Sequence, residues 1–178
     1  MTTAQTKKSG GGRRSRGHWA YGDESFATER EMILRVLDDF RCTEAFGAEY
    51  VPLWLRTSDQ DIVKGGLRVV GEREAYHARL MESRLRELGG VPRCEIPADV
   101  RKRKLAFYGS TTLKDAGKLR DEAAEIGDPA TALRRYTDVV DRIRDDIITK
   151  QLLYWILQDE LSTIRWVKET AAMLNPVR

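Results

Sequence analysis

The sequence predicts an all-α fold: two antiparallel helical hairpins joined by a long crossover, which is a four-helix bundle. Three observations carry this expectation. Four long stretches repeat apolar residues in steps of three and four, the period of one helix face. Turn and cap residues fall between them, at Thr57-Ser58-Asp59, at Gly89-Gly90 and Pro92, at Gly127-Asp128-Pro129 and at Asp145-Asp146. With only 5 Pro in 178 residues and no alternating apolar run, little is left for a turn-rich β fold.

The first helix is expected over about 25–56, with Ile33, Leu37, Phe40, position 44, Gly47 and Val51 on one stripe and Pro52 near its end. Thr57-Ser58-Asp59 turns the chain and offers an N-cap. The second helix is expected over about 60–88, with stripe Val63, Leu67, Val70, positions 74 and 77, Met81 and Leu88. Gly89-Gly90 and Pro92 stop it. The connection over 91–127 holds the basic run Arg101-Lys102-Arg103-Lys104 and a short amphipathic piece over 113–126. It is long enough to cross a bundle from end to end. The third helix is expected to start at the N-cap Asp128 with Pro129 in its first turn, and to carry Leu133, Tyr136, Val140 and Ile143. The fourth is expected over about 147–174, with Leu153, Ile156, positions 160 and 163, Val167 and Leu174.

Charge divides the chain unevenly. The net charge is +3, yet residues 1–20 carry Lys7, Lys8, Arg13, Arg14 and Arg16 and no acid, so the remainder is slightly acidic. Residues 1–22 read as a disordered, glycine-rich basic tail, and residues 23–178 as the bundle. Such a tail suits contact with phosphate on nucleic acid, or it is simply solvated. No apolar run reaches the roughly 18 residues of a membrane span, and the N-terminus lacks the apolar centre of a secretory signal. A cytoplasmic protein without membrane contact is expected. Cys42 and Cys94 are too few for a disulfide framework, and 2 His exclude a site built mainly from histidine.

The stripes hold residues that do not belong in an apolar core. Positions 44, 74 and 160 are Glu and position 77 is His. A carboxylate buried without a partner is very costly. Glu44 lies 14 residues before the turn at 58, and Glu74 lies 16 after it. At about 1.5 Å per residue the two sit within roughly 3 Å of one level. Glu160 lies 14 residues beyond the turn at 146. If the hairpins pack with both turns at one end, the three carboxylates meet in one layer. His77 is one turn from Glu74 on the same face. Carboxylates with an imidazole suit iron or manganese.

Glu74-Ala75-Tyr76-His77 resembles the Glu-x-x-His signature of the ferritin-like superfamily, whose di-iron four-helix bundles include the bacterioferritin and rubrerythrin types. His77-Ala78, Arg84-Leu85, Leu88, Gly90 and Pro92 are similar to the end of the second bacterioferritin helix. Leu152-Leu153, Ile156-Leu157, Asp159-Glu160, Ile164 and Trp166 are similar to the fourth. The resemblance covers about 30–92 and 129–175. It implies a ferritin-like bundle with metal ligands Glu44, Glu74, His77 and Glu160, and an iron-handling protein of the ferroxidase or oxidoreductase kind. It also implies a homo-oligomer, dimeric or larger.

The departures from that pattern are specific. Thr163 stands where the second Glu-x-x-His would place its histidine. The third-helix carboxylate has no counterpart near Ala132, the position 14 residues before the turn at 146. Ala75 stands where bacterioferritin has its haem-binding Met, so haem is not expected. The chain closes on Pro176-Val177-Arg178 without the short fifth helix of ferritin cages, so a cage is not expected. The di-iron site therefore reads as incomplete, with manganese as the alternative to iron. Two other readings stay open: a non-catalytic scaffold or interaction protein that lost the site, its acids paired with Arg84, Arg165 or Tyr136, and a nucleic-acid-associated protein using its tail. The pairs Trp54-Leu55 and Tyr154-Trp155 are expected at the surface between subunits.

Overall fold

The computed structural model describes residues 19–176, and these are mostly helical. The basic residues of the expected tail, Lys7 to Arg16, lie outside the described residues. The chain enters through a small antiparallel hairpin, β1 (Trp19–Tyr21) and β2 (Glu24–Phe26). Gly22, at φ +57°, makes its turn. This hairpin corrects the expectation of a tail through residue 22. Tyr21 is buried, stacks on Tyr136 at 6.0 Å between centroids and donates its hydroxyl to Asp39. Tyr21, with Trp19 and Phe26 packed against the same core cluster, docks the hairpin, a signal too short for periodicity to register.

Helix α1 (Glu29–Thr57) begins after Thr28, which forms a capping box with Glu31, and continues through Pro52. Helix α2 (Asp61–Glu87) packs along it. Both lie close to the expected bounds, as does α7 (Ile147–Leu174), capped by Asp146 through Thr149.

The expected third helix is a chain of pieces. Within the connection stand α3 (Ala98–Tyr108) and α4 (Asp115–Ile126), followed by α5 (Pro129–Ala132) and α6 (Arg134–Arg142). Gly127, at φ +62°, and Asp128, which caps α5, interrupt the run between α4 and α5. Helix α4 packs on α7 near its C-terminus, where Asn175 Nδ2 donates to Ala116 O at 2.9 Å. Helix α6 packs on the other half of α7, its Tyr136 and Val140 in one apolar cluster with Leu153 and Ile156.

Buried acids clamp the two ends. Asp115 accepts from Trp54 Nε1 (2.7 Å), Ser58 Oγ (2.6 Å) and the N–H groups of Asp59 and Gln60 (both 2.9 Å). At the other end Glu29 accepts from the N–H groups of Arg144 (2.7 Å), Asp145 (3.0 Å) and Asp146 (2.9 Å). Arg84 joins Asp146 there at 2.8 Å. The α1–α2 turn and the turn before α7 therefore lie at opposite ends, contrary to the arrangement assumed from the sequence.

The core has two apolar clusters. One gathers Met32, Leu37, Phe40, Met81, Leu85, Ile143 and Leu153 around the Glu29 end. The other gathers Val51, Trp54, Val63, Leu67, Leu119 and Val167 around the Asp115 end. Trp54 is buried, which corrects its expected place at the surface, whereas Tyr154 and Trp155 are exposed as expected. Among the described residues no helix is long and apolar enough to cross a membrane.

Candidate metal centre

Between the two apolar clusters lies a polar layer. Glu44 comes from α1, Glu74 and His77 from α2 and Glu160 from α7. Glu44, Glu74 and His77 are buried and Glu160 is nearly so. All four stand mid-helix, where the stripes place them. The turns are not at one end, yet the depths still match. Glu160 lies near the midpoint of α7, so counting from either end of that helix reaches the same level.

His77 joins the layer. Its Nδ1 lies 3.1 Å from Glu44 Oε2 and 3.5 Å from Glu160 Oε1. Its Nε2 lies 3.1 Å from Asp159 Oδ2. One ligand atom each from Glu44, His77 and Glu160 falls within 4.8 Å of the others, which is the spacing of donors around one cation. Glu74 is outside that triad, although the charge of Glu44 acts on its carboxyl. Gly47 makes room for it on α1, since a Cβ there would meet Glu74 Oε2 at 2.2 Å.

The electrostatics follow from burial. Burial raises the Glu44 carboxyl to about 7; the His77 hydrogen bond pulls it down and the Glu160 charge pushes it up. Burial first, then the charges of Glu44, Glu160 and Glu122, hold the Glu74 carboxyl well above the usual carboxylate range. For His77 burial favours the neutral ring, but the carboxylates of Glu160, Glu44 and Asp159 together outweigh it and raise the imidazole to about 10. Without a cation, the surrounding carboxylates favour the proton on His77 and burial favours the one on the Glu74 carboxyl, which reduces the negative charge of the layer. A divalent ion would do the same work with its own charge.

Two residues of the site escape the sequence reading. Asp159 anchors the far nitrogen of His77, which fixes the tautomer that leaves Nδ1 for a metal. Its neighbour Glu160 drew the attention because it lies on the stripe. Glu122 is the other. It accepts from the buried Tyr108 hydroxyl and lines a cavity of about 190 Å³ together with Tyr50, Glu74, Glu160 and Thr163. It reaches this cavity from α4, before the break at Gly127, and not from the segment around Ala132. The spacing of Glu122 three residues after Leu119 and four before Ile126 was the available signal.

Glu160 Oε1 and Thr163 Oγ1 are buried without a hydrogen-bond partner. Of the partners expected for a scaffold, Arg165 is exposed, and Arg84 and Tyr136 are engaged elsewhere. Arg84 bonds Asp146, Thr149 and Glu87, and Tyr136 receives a bond from Arg135. No family model matches the chain, and comparison with curated proteins and with solved structures gives no match.

Proposed function

We propose that this chain binds a divalent transition metal, iron or manganese, in a ferritin-like four-helix bundle with a reduced ligand set. The observation that carries the reading is the triad of Glu44, His77 and Glu160, with one donor atom each inside 4.8 Å. Two oxygen donors and one imidazole match the preference of such ions. The Asp159–His77 bond supplies the usual support behind a ligating imidazole. Glu160 Oε1, which makes no hydrogen bond and only a long ion pair with His77, would gain a closer partner in the ion. Glu74 can swing in as a further ligand once its proton leaves. A bound iron or manganese would supply Lewis acidity and a one-electron redox couple. This chain's own part is to hold the ion, orient His77 and exclude water with the flanking apolar clusters.

A second ion is a separate reading, favoured by the cavity that Glu74, Glu122 and Glu160 line. Metal content decides between them. Protein loaded anaerobically with ferrous iron is desalted and measured by elemental analysis, beside Glu44→Gln and Glu122→Gln. About one iron per chain, lost in Glu44→Gln and kept in Glu122→Gln, is expected for the triad. About two, halved in Glu122→Gln, would establish a pair. Iron that ignores both substitutions, with helical circular dichroism intact, would overturn metal binding here and leave a scaffold whose layer holds protons instead.

A further inference from the structure

Helix α2 has a second face that the bundle does not use. Its buried side, with Val63, Leu67, Val70 and Met81, lies within the fold. Opposite to it the exposed residues Ile62, Gly65, Val69, Glu72, Tyr76 and Arg79 recur in steps of three and four, which makes one continuous stripe. Ile62, Val69 and Tyr76 stay 55%, 52% and 53% exposed, one heptad apart. Apolar residues at this period, on a helix already anchored by its other side, suit the packing of a further helix. The stripe has two flanks. At about 100° per residue, Ile62, Val69 and Tyr76 lean to one side, and Asp61, Arg68 and Arg79 to the other. Arg73, which donates to Ser162 Oγ on α7 at 3.4 Å, marks the apolar flank as the α7 side. There the exposed Trp155 of α7 extends it. Among the described residues Arg68, Glu72 and Arg79 make no ion pair, and Asp61 pairs only with Lys64 on its own helix.

We propose that a second copy of this chain docks on the stripe, the two α2 helices lying antiparallel across a two-fold axis near residue 70. Charge complementarity selects that occupant. In such a pair a residue faces the partner residue equally far on the other side of position 70. Asp61, nine residues before that point, then faces the partner's Arg79, nine after it. Arg68 faces the partner's Glu72 in the same way. Each contact occurs twice, so opposite charges meet along the whole flank. Tyr76 comes within one residue of the level of the partner's Gly65. A Cβ at Gly65 would meet nothing within 4 Å, so the helix leaves an open seat there for a ring. The two-fold axis lies in the plane of contact and sets each flank against the same flank of the other copy. Apolar residues therefore meet apolar ones, with Val69 near its own counterpart at the centre, while the charged flank closes on itself. A parallel pair would instead set Arg68 on Arg68 and Arg79 on Arg79, like charge against like. The pattern is its own complement, which is the mark of an isologous contact.

The full chain is examined by sedimentation velocity from about 1 to 100 µM, the range suited to an interface of modest size. Twice the chain mass is expected at the upper end. Gly65→Trp fills the seat from a position with free space around it, so the variant should keep its helical circular dichroism and sediment as a monomer. Asp61→Arg and Arg79→Asp should each raise the dissociation constant roughly 10-fold by setting like charges together, and the two combined should restore it. Asp61 and Arg79 stand about 27 Å apart along one helix, so that restoration can act only between copies. A monomer throughout the range, a dimer indifferent to Gly65→Trp, or a double variant no better than the single ones would overturn the proposal. The second of these outcomes would place the contact on another face, such as that of Tyr154 and Trp155. None of these readouts depends on the metal.

Discussion

An imidazolium, protonated on both nitrogens, cannot ligate a metal, and His77 in this layer keeps its second proton up to about pH 10. Binding must therefore expel protons, from His77 and partly from Glu44, whose carboxyl sits near 7. Between pH 6 and 8 the logarithm of the association constant for ferrous or manganous ion should rise by about one to two per pH unit. Titration calorimetry in buffers of different ionisation enthalpy reads the same proton count; a flat profile would contradict the triad. Stability should follow the opposite course in the metal-free protein. Both groups are raised above their unfolded values. Their contribution is complete below the unfolded values, about 4.5 for Glu44 and 6.5 for His77, and is lost as pH rises through about 7 and then about 10. Urea unfolding of metal-free protein should show a decline from pH 5 to 9, and saturating metal should offset it. Asp159→Asn tests the support behind His77. The amide keeps the shape but offers a weaker partner to the ring, so metal affinity should fall roughly 10-fold while the melting temperature of the metal-free protein changes little.

Helices α1, α2 and α7 were legible because long amphipathic stripes outweigh local detail, and caps such as Thr28 and Asp146 mark their ends. The layer was legible for the same reason: Glu44, Glu74, His77 and Glu160 interrupt stripes whose other members are apolar. The remainder of the fold depends on contacts that periodicity does not encode. The hairpin is held by Tyr21, Trp19 and Phe26 against the core and by Arg142 on Ala20 O, and α4 is held at Asp115 and Lys118, whose partners come from distant residues. Lys118 Nζ donates to Thr57 Oγ1 (2.8 Å), Tyr108 O (2.8 Å) and Ser110 O (2.9 Å), so a buried ammonium serves as the staple between α1, α3 and α4. The clamp at Asp115 can be tested directly. Asp115→Ala strands the buried Trp54 N–H and two backbone N–H groups, and should cost about 3 kcal/mol in urea unfolding. Asp115→Asn, which keeps acceptor capacity, should cost clearly less. At the α1–α2 contact Gly47→Ala drives a methyl into the Glu74 carboxyl. That side chain is flexible enough to move, so the helix should survive. If Glu74 joins the ion, metal affinity should drop several-fold; unchanged affinity would place Glu74 outside the ligand set.

Two apolar clusters flank a layer of buried acids, with Ile126 packed against both. Within it Glu160 Oε1 and Thr163 Oγ1 are buried and make no hydrogen bond. A ligand that binds only the folded state adds RT ln(1 + [L]/Kd), about 2.7 kcal/mol at a hundred times Kd. For a chain of this size that is a rise of roughly 5–10 °C in melting temperature. The location of the gain matters more than its size. If the ion bridges α1, α2 and α7, amide exchange should slow around residues 41–48, 70–81 and 156–164, while the two ends, already clamped by Glu29 and Asp115, should change little. Hydrogen exchange of the same protein with and without manganous ion measures this. Protection confined to those mid-helix turns would mean that the metal couples the two half-cores. Protection spread evenly over the chain, or centred on the basic run of α3, would mean that the ion binds elsewhere and that the layer keeps its protons.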